Sequence, residues 1–316
     1  MNKKNLAKAV MFALGCGFAA SSMAAAIHTD SNSQYRPTGK GWGELVPPNA
    51  LHSQSQTKAA KPTGKASTNN GIYYHGGPVM LGTTNVYYIW YGNWSSYASA
   101  QTILPDLMPG LSGSSIYNIN TSYTDSNNAH VANSVNLAGQ VADSGSQGTV
   151  LNDAAIQTIV TNAINNLGLP MDTNAVYFVL TAPDVQETSG FGTQYCGWHT
   201  SASINGQTVK YAFVGDAETQ APSGCGVNNP SPNGNGGADA MASVMYHELS
   251  EAVSDPELNA WYDRQGQENA DKCAWTFGST YTTSNGASAN VNLGGRDWLL
   301  QQNWLNANGG VCTLSY

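Results

Sequence analysis

The sequence predicts a mixed α/β domain (α+β in its irregular parts), a sheet with helices packed on it and a disulfide-tied C-terminal region. Three observations carry this. Short β-branched and aromatic runs read as buried strands. Helical patterns alternate with them until one long helix closes the series. Four cysteines, Cys196, Cys225, Cys273 and Cys312, lie in the second half of the chain.

Residues 1–26 read as a secretory signal peptide. Lys3, Lys4 and Lys8 precede an apolar run over 9–20, and small residues follow, with Ser22-Met23-Ala24 or Ala24-Ala25-Ala26 suited to cleavage. The run is shorter than the ~20 residues of a membrane span. Residues 27–70 hold Pro37, Pro47, Pro48 and Pro62 without any period, and carry Pro37-Thr38-Gly39-Lys40 and again Pro62-Thr63-Gly64-Lys65. They read as a linker or a pro-segment.

Residues 71–316 read as a single domain, ordered from about Ile72. "TNVYYIWY" (84–91) predicts a buried strand, 95–104 a short helix stopped by Pro105, and 115–123 a strand. Apolar residues at 156, 159, 160, 163, 164 and 167 predict a helix over 152–167, ended by Gly168 and Pro170. "NAVYFVLT" (174–181) and "VKYAFV" (209–214) predict two further strands. A Gly-, Pro- and Asn-rich loop over 221–237 leads into a helix over about 238–254, and 274–316 is turn-rich.

The chain has 12 basic and 20 acidic side chains, a net charge of −8, and the leader removes three lysines and no acid. Such a surface repels phosphate backbones and anionic lipid, which argues against nucleic-acid or membrane partners. With 16 Tyr and 8 Trp, the composition is that of a folded exported protein rather than a disordered one. Cys16 leaves with the leader, and an oxidising compartment makes disulfides the default for the remaining four cysteines. Three pairings are possible. Cys196–Cys225 with Cys273–Cys312 is favoured, each closing a loop-rich segment, and no pair has the short spacing of a zinc–thiolate site.

The chemistry concentrates in "YHELSEAVSDPELNAWYDRQGQENADKC" (246–273). His247 and Glu251 lie one helical turn apart and leave the same side of the helix, as two ligands of one ion must. Glu248 is placed as a general base for a metal-bound water. A third ligand must come from downstream. By analogy of layout with zinc hydrolases, Glu268 is that ligand and Asp271 orients the imidazole from behind, with Asp255 and Asp271 as alternative ligands and Glu257 also close in sequence. The rival reading makes the acids structural, capping the helix or pairing with Arg264 and Lys272, or makes the cluster an all-oxygen calcium site. His75 reads as a backbone contact. His199 reads as a structural histidine or, from another loop, a visitor to the metal cleft.

"YYHGGPVMLGTTNVYYIWYGNW" (73–94), "QYCGWHT" (194–200), "YAFVGD" (211–216) and Cys225 together resemble the EXORDIUM, or phosphate-induced protein, family over roughly 73–316. That resemblance implies an extracellular protein linked in plants to growth and brassinosteroid responses, with no settled catalytic activity. The plant pattern does not keep His247-Glu248. "HELSEAVSDP" with the downstream Trp261-Tyr262-Asp263 resembles instead microbial secreted zincin-like proteins, which implies a zincin-like active helix. Two functions follow as expectations. The first is a secreted or periplasmic zinc hydrolase, a metallopeptidase acting on peptides or cell-wall material. The second is a non-catalytic extracellular protein whose exposed aromatics bind cell-wall glycan or a partner, its acids structural or calcium-loaded.

Overall fold

The computed structural model describes residues 36–40, 71–226 and 230–316. The expected signal peptide lies outside the described residues, as does most of the expected linker or pro-segment. Five strands form the main sheet: β1 (Thr84–Tyr91), β2 (Val135–Asp143), β3 (Ala175–Thr181), β4 (Gly197–Ile204) and β5 (Gln207–Gly215). Their order is β2-β1-β3-β5-β4. All neighbours are parallel except β4, which runs antiparallel to β5 at the edge.

The burial of each strand follows its place. β3 is buried at every residue and β1 at all but one, as continuous apolar strands inside a parallel sheet should be. β2, at the other edge, alternates in exposure along "NLAGQVA", and this weak pattern hides it in the sequence. β4 was likewise not expected. It is joined to β5 by Asn205-Gly206, both at positive φ (50° and 78°), a two-residue turn whose twist matches that of the strands it joins.

Helix α1 (Asp153–Asn165) is capped by Asn152, whose side chain accepts from the Ala155 N–H, and buries Ile156, Ile159, Val160 and Ala163. It ends two residues before the expected limit, which leaves Leu167 exposed. Two expectations are corrected. Over 95–104 the chain forms a helical turn at Ala100–Ile103, and Pro105 starts the next one, a 3-10 turn at Leu104–Asp106, before a helix at Leu107–Leu111. Proline is tolerated there because first-turn N–H groups need no helical partner. Over 115–123 there is no strand but a 3-10 helix at Tyr117–Ser122. Thr121 and Ser122 donate their hydroxyls back to the carbonyls of Asn118 and Ile119 and favour the helical turn.

The long helix α2 (Gly236–Ser254) packs against β4 and β5, and Asn235 caps it by accepting from the Ala238 N–H. Every residue from Gly237 to Ser254 is buried. The sequence shows an apolar stripe and a polar face, yet the polar face is covered too. Tyr117–Ser122 and the C-terminal hairpins lie over it, with Asn120, Asn269 and Gln301 meeting Ser250 and Ser243 by hydrogen bonds. The hairpins pair Val291–Leu293 with Arg296–Trp298 and Asn303–Leu305 with Val311–Thr313. Tyr281 and Tyr316 are the exposed large aromatics among the described residues, so most of the chain's rings build the core.

Cys196 pairs with Cys225 and Cys273 with Cys312. Among the described residues no helix is long and apolar enough to cross a membrane. Replacing Cys273 and Cys312 together by serine should lower stability by about 2–5 kcal/mol, measured by urea unfolding under non-reducing conditions. An unchanged midpoint would mean that the bond constrains nothing.

Candidate metal centre

Three elements bring donor atoms to one buried place. α2 supplies His247, Glu248 and Glu251. β4 supplies His199, whose Cα faces Ala212 across the β4–β5 pair. The segment after α2 supplies Glu268 and Asp271.

That last segment is shaped by its own acids. Asp255 ends α2, and its Oδ1 accepts from the N–H groups of Asn259 and Ala260 at 2.6 Å each. The chain then pairs Trp261–Tyr262 with Tyr73–Tyr74. Asp263 Oδ1 accepts from the N–H groups of Gln265 and Gln267, turning the chain again, while its Oδ2 pairs with Lys272 Nζ at 3.1 Å. Asn269 donates to the Ser250 carbonyl, and the Asp271 N–H donates to Glu251 Oε1 at 3.0 Å. These bonds hold the segment against the last turns of α2.

The donors form two groups that share Glu251. In one, His247 Nε2 lies 3.0 Å from Glu251 Oε1 and 3.7 Å from Asp271 Oδ1. In the other, His199 Nε2 lies 3.2 Å from both oxygens of Glu268 and 3.7 Å from Glu251 Oε2. All five residues are at most 6% exposed. His247 Nε2 and Asp271 Oδ1, 3.7 Å apart, have no well-formed hydrogen bond, nor does Glu251 Oε2, which faces His199 Nε2 at 3.7 Å. Buried nitrogen and oxygen atoms that face each other in this way need a shared proton or a cation between them.

Electrostatics point the same way. Five carboxylates, Glu248, Glu251, Asp255, Glu268 and Asp271, are buried near two imidazoles, and buried charge at this density needs neutralising. Burial, reinforced by Glu251 and its acidic neighbours, pushes the Glu268 carboxyl well above its usual range. Burial and the neighbouring Glu251 likewise push Asp255 up to about 7, against its own hydrogen bonds. Burial pushes His199 down to about 4, so that imidazole is neutral, the form that binds metal. Burial also opposes a charge on His247, but Glu251, Asp271 and Glu248 outweigh it and raise its affinity for a proton.

Each expected residue has a definite place. His247 and Glu251 meet as their one-turn spacing predicts. Glu268 faces His199, and Asp271 approaches the same His247 nitrogen that faces Glu251, so it stands among the donors rather than behind the ring. Asp255 caps the turn and is in neither donor group. Glu248 lies beside His247 on a narrow cleft lined also by Cys196, Val244, Trp275 and Gln301. His75 stacks on Tyr262 and its Nε2 contacts the Tyr262 carbonyl. The residue undervalued from sequence is His199. The signal that could have placed it is Asn205-Gly206, which predicts the β4–β5 hairpin and puts residue 199 on a sheet edge.

The family model described as "Phosphate-induced protein 1 conserved region" matches residues 72–307. Protein EXORDIUM-like 5 of Arabidopsis thaliana is 33% identical over 309 residues, covering 85% of this chain and 83% of its own length. Protein EXORDIUM-like 3 of the same plant is 31% identical over 297 residues, covering 82% and 87%. Protein PHOSPHATE-INDUCED 1 of Nicotiana tabacum is 30% identical over 225 residues, covering 64% and 70%. No solved structure matches the chain.

Lys272→Met should cost about 3–5 kcal/mol in urea unfolding, because it leaves Asp263 buried without its cation. A loss below about 1 kcal/mol would show that this ion pair does not hold the donor segment.

Proposed function

The chain belongs to the phosphate-induced protein 1 family, and for this member we propose an exported protein built round a buried zinc centre. His199, His247 and Glu251 would hold the ion, with Glu268 and Asp271 completing the donor set. The observation that carries this reading is the convergence of two imidazoles on one shared, buried carboxylate. Two nitrogen donors favour zinc over calcium, whose ligands are oxygens. A donor set drawn wholly from the protein is that of a structural centre, one that adds binding energy to folding. The names of the plant relatives specify no reaction, and a non-catalytic role suits them better than an enzymatic one. The leader expected from the sequence and the two disulfides support export into an extracellular or periplasmic space.

A second reading rests on Glu248. It shares the narrow cleft with His247, where a general base of a peptide or cell-wall hydrolase belongs. Zinc, when bound, supplies Lewis acidity and an acidified water. Glu248 would hold the proton, and the cleft would have to widen to admit a substrate.

Elemental analysis of the purified protein should find stoichiometric zinc. His199→Ala and His247→Ala should each abolish it, whereas His130→Ala, at an exposed position, should keep it. A wild type that takes up no zinc would overturn the proposal. Zinc at a hundredfold excess over its Kd should stabilise the protein by about 2.7 kcal/mol, a gain that chelation removes. Glu251→Gln should show opposite signs in the two states, stabilising the chelated protein by relieving carboxylate repulsion while forfeiting the gain from zinc.

For the second reading, a peptide-library digest should show cleavage by the wild type and a loss of about 10²–10⁴-fold in Glu248→Gln at unchanged zinc content. Equal cleavage by both, or none by zinc-loaded wild type, would leave the non-catalytic role.

A further inference from the structure

A second constellation lies outside the donor set, where Arg36–Lys40 rests on the body of the domain. The Gly39 carbonyl accepts from the His199 N–H at 3.0 Å, on the outer side of edge strand β4. Gly39 has φ 69°, and a Cβ there would lie 1.9 Å from the His199 carbonyl oxygen, so no other residue fits. Thr38 Oγ1 accepts from the Lys40 N–H and donates to the Lys40 carbonyl, which fixes the turn. Pro37 is buried.

Lys40 then reaches towards α1. Its Nζ lies 2.9 and 2.7 Å from the two oxygens of Asp153 and 3.0 Å from Ser189 Oγ. It also stands over the rings of Tyr195 (4.9 Å) and Trp198 (5.5 Å). Behind Ser189, the Tyr195 hydroxyl and Ser189 Oγ both bond to the buried Glu187. Carboxylate, hydroxyl and two aromatic faces make a pocket for a primary ammonium.

We propose that this is a binding site for peptides carrying a basic residue followed by Pro-Thr-Gly-Lys, occupied here by the chain's own copy. Three positions of the motif meet the body of the domain, through a buried proline, a contact only glycine can make and the ammonium pocket, while the threonine hydroxyl closes the turn within the segment. Four of these residues recur as Pro62-Thr63-Gly64-Lys65, again after a basic residue, Lys61. A five-residue pattern repeated in a segment with no other period points to a shared binding surface. The second copy, carried on the same chain, competes for the same site. Docking follows the edge-strand mode, with one main-chain bond for affinity and a side-chain pocket for specificity. Asp153, Glu187, Ser189, Tyr195 and Trp198 belong to neither metal-donor group, and His199 contributes only backbone, so the site stands whether or not the zinc reading holds.

The test uses the full chain with Lys40→Ala and Lys65→Ala combined, titrated by calorimetry with an acetylated, amidated Arg-Pro-Thr-Gly-Lys peptide. Saturable binding is expected for this variant and none for the wild type, whose own copies hold the site. A peptide with norleucine in place of lysine should bind about tenfold more weakly, the loss of one charge-assisted, ring-stacked contact. Hydrogen exchange at the His199 amide should be faster in the double variant than in the wild type, and peptide should slow it again. Asp153→Asn, which leaves both lysines in place, should speed that exchange as well. The proposal is overturned if the double variant does not bind the peptide, if norleucine binds equally, or if the His199 amide is indifferent to all three changes.

Discussion

Glu251 is the constraint on which the rest of the site depends. One oxygen accepts from the Asp271 N–H and faces His247, and the other faces His199. It therefore touches helix, loop and edge strand at once, at 1% exposure. A carboxylate so placed is stable only if its surroundings supply donors or positive charge. Most of what is unusual nearby follows from that demand. The loop is folded by its own acids and pinned by Asn269, and the nearest lysine in the sequence is already committed to Asp263.

Burying that carboxylate also explains why α2 has no solvent face. A helix with a polar side normally turns it to water. Here the polar side meets serines, asparagines, a glutamine and the donor cluster, and the C-terminal hairpins form the lid. Those hairpins have little core of their own. Their role is to exclude water from α2, so the turn-rich final fifth is part of the site's architecture.

The central parts of the fold were legible because continuous apolar runs have few alternatives. β1, β3, β5 and both long helices announce themselves through burial on every side or through a helical stripe. The edge strands did not. β2 carries Asn, Gly and Gln and buries only part of its length, and β4 has no continuous apolar run, although Asn205-Gly206 marks its turn. The stretch 115–123 misled because Ile116, Tyr117 and Ile119 suit a strand as well as a 3-10 turn, and the hydroxyl-to-carbonyl bonds that decide between them are local. On the site, the one-turn spacing revealed His247 with Glu251, and order along the chain suggested Glu268 and Asp271. The partnership of His199 with Glu251 was hidden by 51 residues of intervening chain, since nothing in a sequence says which strand will lie beside which helix.

The two disulfides sit close to the donors. Cys196 comes three residues before His199, and Cys273 two residues after Asp271, and each is bonded to a segment far along the chain. Oxidation therefore adds a covalent clamp beside each donor-bearing segment. On the zinc reading proposed above, a precursor with free thiols would lack both clamps and hold the ion less firmly. Under that proposal, firm loading would follow oxidation. For a centre built in that way, the order of oxidation and metal capture would decide which pool of metal the protein draws on.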